Sequence, residues 1–261
     1  MKQLNRFTLL TFDVEEFDLP LEYGCAISVL EQMDTGYDGL KKLQQVLHIY
    51  NQAYTFFTTA NFASQYPDEI RRLSESNEIG SHTFFHSSFE ERHLLESRIT
   101  LENITGKKVI GLRMPRLQAV SPELVQQAGY IYNSSINPSW LPGRYNNLSK
   151  PRTLYKQLGV VNVPVSVSSN FRIPLFWLAF KNLPYAIYKK MAIHTLKKDG
   201  YLSLYFHPWE FTEITQYNIP FYIKRHSGTC MQERLHQLIK DLKKDSDFIC
   251  MRDLPGVQCT H

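Results

Sequence analysis

Short apolar runs alternate with amphipathic ones down the length of the chain. FTLLTF (7–12) mixes aromatic, β-branched and aliphatic residues and stops at an acidic run, which predicts a buried strand. DGLKKLQQVLHIY (38–50) then sets Leu40, Leu43, Leu47 and Tyr50 at helical spacing, and AYTFFTT (53–59) reads as a second strand. PDEIRRLSES (67–76) carries Pro67 and acids where a helix begins, and EIGSH (78–82) is a short strand broken near Gly80. The spacing next predicts a helix over 89–105, a strand over 108–115, a helix over 121–129 capped by Ser121 and stopped by Gly129, and a strand over 130–135.

Between 137 and 157, Pro, Asn, Ser and Gly break the periodicity and predict irregular connections across one face. Beyond them come a strand over 160–167, a helical segment over 175–198 interrupted at Pro184, and a strand over 201–208 ended by Pro208. A helix over 230–243 and a short strand over 247–251 complete the pattern. Sustained alternation without an internal repeat predicts an α/β fold, with helices outside a mostly parallel sheet. We expect that sheet to close into a distorted or incomplete (β/α) barrel, as a single domain over residues 1–261.

The composition, 43% hydrophobic and 21% charged, excludes a disordered or low-complexity chain. A net charge of +4 without basic blocks gives no reason to expect a nucleic-acid partner. Cys25, Cys230, Cys250 and Cys259 lack CxxC spacing, which argues against a zinc knuckle and for reduced thiols. The apolar runs at 7–12 and 173–180 fall well short of the ~20 residues of a spanning helix, so a cytoplasmic protein is expected. In RIPLFWLAFKNLPYAIYKK (172–190), aromatics beside Lys181, Lys189 and Lys190 suggest peripheral membrane contact. A barrel helix with a solvated edge is the favoured reading, because the apolar runs are short and Pro-interrupted.

Candidate chemistry follows the strands. Asp13-Val14-Glu15-Glu16, His82-Thr83-Phe84-Phe85-His86, Arg113-Met114-Pro115-Arg116 and His207-Pro208-Trp209-Glu210 each stand where an apolar strand stops. In a parallel sheet those ends open on one face, where α/β enzymes carry their reactive groups. His82 and His86 are spaced to aim two imidazoles at one ion, although such a pair also occurs at helix starts with ordinary hydrogen bonds. Asp13 and Glu15 project to the same side of an extended chain and Glu16 to the other. One of the two carboxylates suits the ion and the other suits proton transfer, against the plainer reading of a solvated acidic loop. Arg113 needs a buried carboxylate, either Asp13 or another acid. His207, at a strand mouth, is a candidate proton donor or a satisfied core histidine.

Taken in order, TFDVEE (11–16), TFFTTANFA (55–63), EIGSHTFFH (78–86), LRMPRL (112–117), GYIYNSSI (129–136) and YLSLYFHPWEF (201–211) resemble the polysaccharide deacetylases. That family is the NodB homology domain of carbohydrate esterase family 4. The resemblance implies a distorted (β/α) barrel and a hydrolase that removes acetyl groups from N-acetylated sugars in glycans or in their lipid- or nucleotide-linked precursors. It further implies a divalent cation, zinc or else cobalt or nickel, on Glu15, His82 and His86, with Glu16 as the fallback for Glu15. Asp13 is the implied general base, Arg113 its orienting partner and His207 the general acid. Many members have adjacent aspartates where this chain has Asp13-Val14-Glu15, similar to a D-V-E branch. Arg116 and Leu117 replace the usual aromatic and glycine after Pro115. Pro115, Arg116, Tyr205 and Trp209 are the expected sugar contacts. Two alternatives are a hydrolase of another carbon–nitrogen bond and a metal-free glycan-binding pseudoenzyme on the same fold.

Overall fold

A computed structural model describes residues 6–257, so the expectation for Cys259 falls outside the described residues. Its first half runs β1 (Phe7–Val14), α1 (Val29–His48), β2 (Thr55–Thr58), α2 (Ala60–Gln65), α3 (Pro67–Ser76), β3 (Glu78–Ser81), α4 (Arg92–Thr105), β4 (Gly111–Leu112), α5 (Pro122–Gln127) and β5 (Tyr132–Asn133). Three short strands follow, β6 (Trp140–Leu141), β7 (Tyr145–Asn146) and β8 (Tyr155–Gln157), then β9 (Val160–Asn162), α6 (Trp177–Asn182), α7 (Tyr185–Asp199) and β10 (Tyr201–Phe206). The chain continues through α8 (Phe221–Lys224), α9 (Thr229–Leu242) and β11 (Asp247–Phe248).

One sheet takes the order β10-β1-β2-β3-β4-β5-β9-β8, with β11 added beside the start of β1. Every pairing is parallel except β8 against β9. The sheet curls into a distorted half-barrel. β1 explains the curl's two cores, because strand side chains alternate in direction. Leu9 packs inside with Phe57, Tyr132, Val161 and Tyr201, whereas Leu10, Phe12 and Val14 join the larger core between sheet and helices. A strand buried on both faces reads as the near-continuous apolar run seen in FTLLTF.

α1 starts nine residues ahead of its predicted boundary. Ser28 caps it, its Oγ accepting from the Glu31 N–H at 3.2 Å, but Val29 and Leu30 are exposed, so the first turns lack an apolar stripe. The expected strands over 108–115 and 160–167 are regular only at 111–112 and 160–162. The stretch 137–157 holds the β6–β7 hairpin and β8 rather than irregular chain alone. Pro184 separates α6 from α7, as the break in the pattern predicts. Among the described residues no helix is long and apolar enough to cross a membrane.

Candidate functional site

The inward series of β1 runs on into chemistry. Asp13 occupies its last turn inward, and its Oδ1 accepts from Arg113 Nη1 at 2.7 Å. The same Nη1 reaches Thr11 Oγ1 at 2.7 Å, while Nε and Nη2 donate to Ser134 O at 3.2 Å and Ser134 Oγ at 3.0 Å. Arg113 is wholly buried, with its guanidinium 4.2 Å from the Phe57 ring centroid. A cation so deep requires a partner, and Asp13 supplies it, which leaves the carboxylate oriented by the guanidinium.

Two residues on, Glu15 meets both histidines. Its Oε2 lies 3.1 Å from His82 Nε2 and 3.2 Å from His86 Nε2. His82 Nδ1 faces the Arg113 carbonyl at 2.8 Å, and His86 Nδ1 faces Asp18 Oδ1 at 2.7 Å. A carbonyl cannot donate, so His82 Nδ1 carries hydrogen, and each ring presents Nε2 to Glu15, as a donor when protonated and as a lone pair for a cation when neutral. Two lone pairs and a carboxylate oxygen, all within 4.8 Å of one another, form a donor set that a divalent cation completes. The histidines do not sit on a helical turn. Thr83, between them, has φ 62°, a left-handed conformation that is strained for a β-branched residue.

His207 closes the other side. Its Nε2 is 3.9 Å from Glu15 Oε1, and its ring stacks on Trp209 with centroids 4.7 Å apart. Trp209 Nε1 donates to Glu15 Oε1 at 3.0 Å. Behind the ring, Glu210 Oε1 accepts from the His207 main-chain N–H at 2.8 Å and faces Nδ1 at 3.2 Å. Burial opposes ionisation of Glu15, but His86, His207 and the hydrogen bond with His82 outweigh it and hold the carboxyl well below the usual range. Burial likewise lowers His86, yet Glu15 and then Asp18 prevail and push it up to about 9. His207 is raised for the same reason, Glu15 and Glu210 overcoming desolvation.

These groups open into a cleft of about 290 Å³. Asp13, Glu15, His86, Arg116, Tyr205, His207 and Trp209 line it, together with Phe176 and Trp177, whose rings are therefore turned inward. His82 and Pro115 are buried and do not line the cleft. Arg116, at φ 55°, reaches Asp18 at 3.1 Å and Glu22 at 2.5 Å. Glu16 turns the other way, accepting from Thr59 Oγ1 at 2.7 Å and Asn61 Nδ2 at 2.5 Å, which leaves Glu15 as the acid beside the histidines. A larger groove of about 770 Å³ along α1 and α3 holds no comparable cluster of histidines and carboxylates among the described residues.

Sequence reasoning left Asp18 out, named Glu210 only as a member of the cluster after β10, and placed Lys181 only in the candidate membrane segment. Glu210 stands three residues after His207, the spacing at which a side chain reaches back to cap a turn, so its pattern was readable. Asp18 and Lys181 had no local signal.

Fold and site together define an α/β half-barrel protein with a carboxylate–imidazole cluster at the C-terminal mouth of its strands. Residues 26–131 match the family model for polysaccharide deacetylase. No curated protein matches. Among solved structures, a protein of Mycobacterium smegmatis assigned as a polysaccharide deacetylase is 18% identical with TM-score 0.68, over 97% of this chain and 89% of that one. The Puue allantoinase is 17% identical with TM-score 0.64, over 98% and 90%. A CE4 family pseudoenzyme from Bacillus anthracis is 11% identical with TM-score 0.54, over 97% and 66%. At these identities the likeness is one of fold.

Proposed function

We propose that the chain is a single catalytic domain that hydrolyses the N-acetyl group of a sugar in a glycan or in its lipid- or nucleotide-linked precursor. The reading rests on one observation: the Nε2 atoms of His82 and His86 converge on a single oxygen of Glu15, with Asp13 and His207 on the same cleft. A divalent cation held there, zinc by the nitrogen-rich donor set and otherwise cobalt or nickel, lowers the pKa of water and polarises an acyl carbonyl. Asp13, oriented by Arg113, takes the proton of the attacking water. His207 presents Nε2 to the departing amine and gives it a proton, which an amide needs because a free amine anion leaves poorly. Arg116 and Tyr205 border the sugar, and Trp209 acts through Glu15 and His207.

The test is acetate release from N-acetylated oligosaccharides together with metal content. His82→Ala and His86→Ala are expected to lose both, whereas Asp13→Asn and His207→Ala keep the metal and lose ~10²–10⁴ in kcat. Retained metal and undiminished release in the histidine variants reject the assignment. The likeness to an allantoinase supports a second reading, hydrolysis of a cyclic amide, and a substrate panel that includes one separates the two.

A further inference from the structure

Behind His207 lies a buried ion pair that the proposed reaction does not use. Glu210 is fully buried, and its Oε1 serves His207 alone. Its other oxygen, Oε2, has no hydrogen-bond partner among the described residues, but Lys181 Nζ stands 3.4 Å away. Lys181, on α6, is itself 1% exposed. Its ammonium donates to the Ile223 carbonyl at 2.8 Å and approaches Ser227 Oγ at 3.5 Å. The rings of Trp177 and Trp209 flank it, with centroids 5.6 and 5.7 Å away. The second of those rings is the one stacked on His207.

We propose that Lys181 is a positioning residue that fixes the tautomer and direction of the His207 ring through Glu210. The inference rests on the role given to His207 above. Burying an unpaired charge is costly, and Lys181 supplies the opposite charge beside Glu210. With Oε2 turned to the ammonium, Glu210 presents Oε1 to Nδ1 as an acceptor, so the hydrogen of a neutral His207 ring sits on Nδ1. Nε2, the nitrogen on the cleft, is then the site where a proton arrives and leaves. Without the ammonium Oε2 loses its partner, Glu210 is no longer held with Oε1 against Nδ1, and the ring is released to the Nε2–H tautomer. The paired Trp177 and Trp209 faces keep the ammonium from turning toward solvent.

Lys181→Met has the right length and suits the aromatic surroundings. Two acetyl substrates separate positioning from general damage, because an aryl acetate expels a good leaving group and needs no proton donor. The expected result is a fall of ~10-fold or more in kcat on the N-acetylated sugar, with KM, metal content and aryl acetate hydrolysis unchanged. Equal losses on both substrates, or none on the amide, overturn the role. Where Lys181→Met does not fold, Lys181→Met/Glu210→Gln removes both charges at once, and the same split between substrates is expected. Nitrogen NMR of His207 in metal-free protein reads the tautomer without any activity: Nδ1–H in the wild type and a shift toward Nε2–H in Lys181→Met. An unchanged His207 spectrum overturns the inference. Wild-type protein that releases no acetate from any N-acetylated sugar, with the tautomer shift still present, overturns instead the deacetylase reading.

Discussion

The indole N–H of Trp209 donates to Glu15 Oε1 at 3.0 Å, across 194 positions of sequence. This bond occupies the one Glu15 oxygen that the two histidines leave free, so it fixes the carboxylate's rotation. A second partner that orients a ligand typically controls metal affinity as well as geometry. Trp209→Phe keeps the aromatic stacking on His207 and deletes the donor. We expect metal affinity to fall ~10–100-fold with the fold intact, measured by competition against a chelating dye. Affinity equal to that of the wild type would show that the indole is packing alone.

Asp18 stands in the same relation to His86. Its Oδ1 meets Nδ1 at 2.7 Å, and its other oxygen is held by Arg116 at 3.1 Å. Asp18→Asn replaces a charged acceptor with a neutral amide and weakens the basicity of Nε2. A comparable ~10–100-fold loss of metal affinity is expected, with Arg116→Gln giving a smaller loss of the same kind. If Asp18→Asn binds metal as tightly as the wild type, the ring is oriented by the backbone alone.

Gly39 brings α1 against the turn that carries Trp209 and Glu210. A Cβ there would collide with the main chain of Pro208, and one at Gly36 would lie 2.6 Å from the Glu15 carbonyl. Backbone cannot give as a flexible side chain can. Gly39→Ala should lower stability by ~1–3 kcal/mol despite the better helix propensity of alanine, and should disturb the mouth. Denaturant titration checks it, and a stabilised variant would mean the helix slides without loss.

Glu78 lies inside the curl, 2% exposed, accepting from Thr55 Oγ1 and Tyr132 OH at 2.8 Å and from the Arg252 N–H at 3.0 Å. Burial pushes its carboxyl above the ordinary 4.5, and those hydrogen bonds offset the push only in part. Between the ordinary and the raised value the folded chain binds more protons than the unfolded one. Stability therefore falls as pH rises through that window and is regained as pH drops back to 4.5. Glu78→Gln removes this slope. Unfolding free energies of the two proteins across pH 4–8 should diverge with pH, and a constant difference would contradict the assignment.

Much of this arrangement was legible in advance. The apolar runs at 7–12, 53–59 and 201–208 became the adjacent strands β1, β2 and β10, and the polar clusters after the first and the last share one mouth. Period-two alternation put Asp13 and Glu15 on one side and Glu16 on the other, because side-chain direction along a strand is a local property. The start of α1 was hidden because its first turns are solvated, where capping rather than an apolar stripe defines the helix. Phe176 and Trp177 stand in the segment favoured as a barrel helix over a membrane contact, and packing against Tyr205, His207 and Trp209 makes them the cleft wall.

The sequence alone determined the order of the longer strands and helices, the parallel class of the sheet, and which residue types stand at the strand ends, since these follow from spacing and propensity within a few residues. The tertiary structure decided which of those groups meet. Thr83's strained turn aims His86, the indole of a residue far down the chain clamps Glu15, and Lys181 finds Glu210 from another helix. Such contacts depend on the curl of the sheet and on charges seeking partners out of water, and no local pattern encodes either.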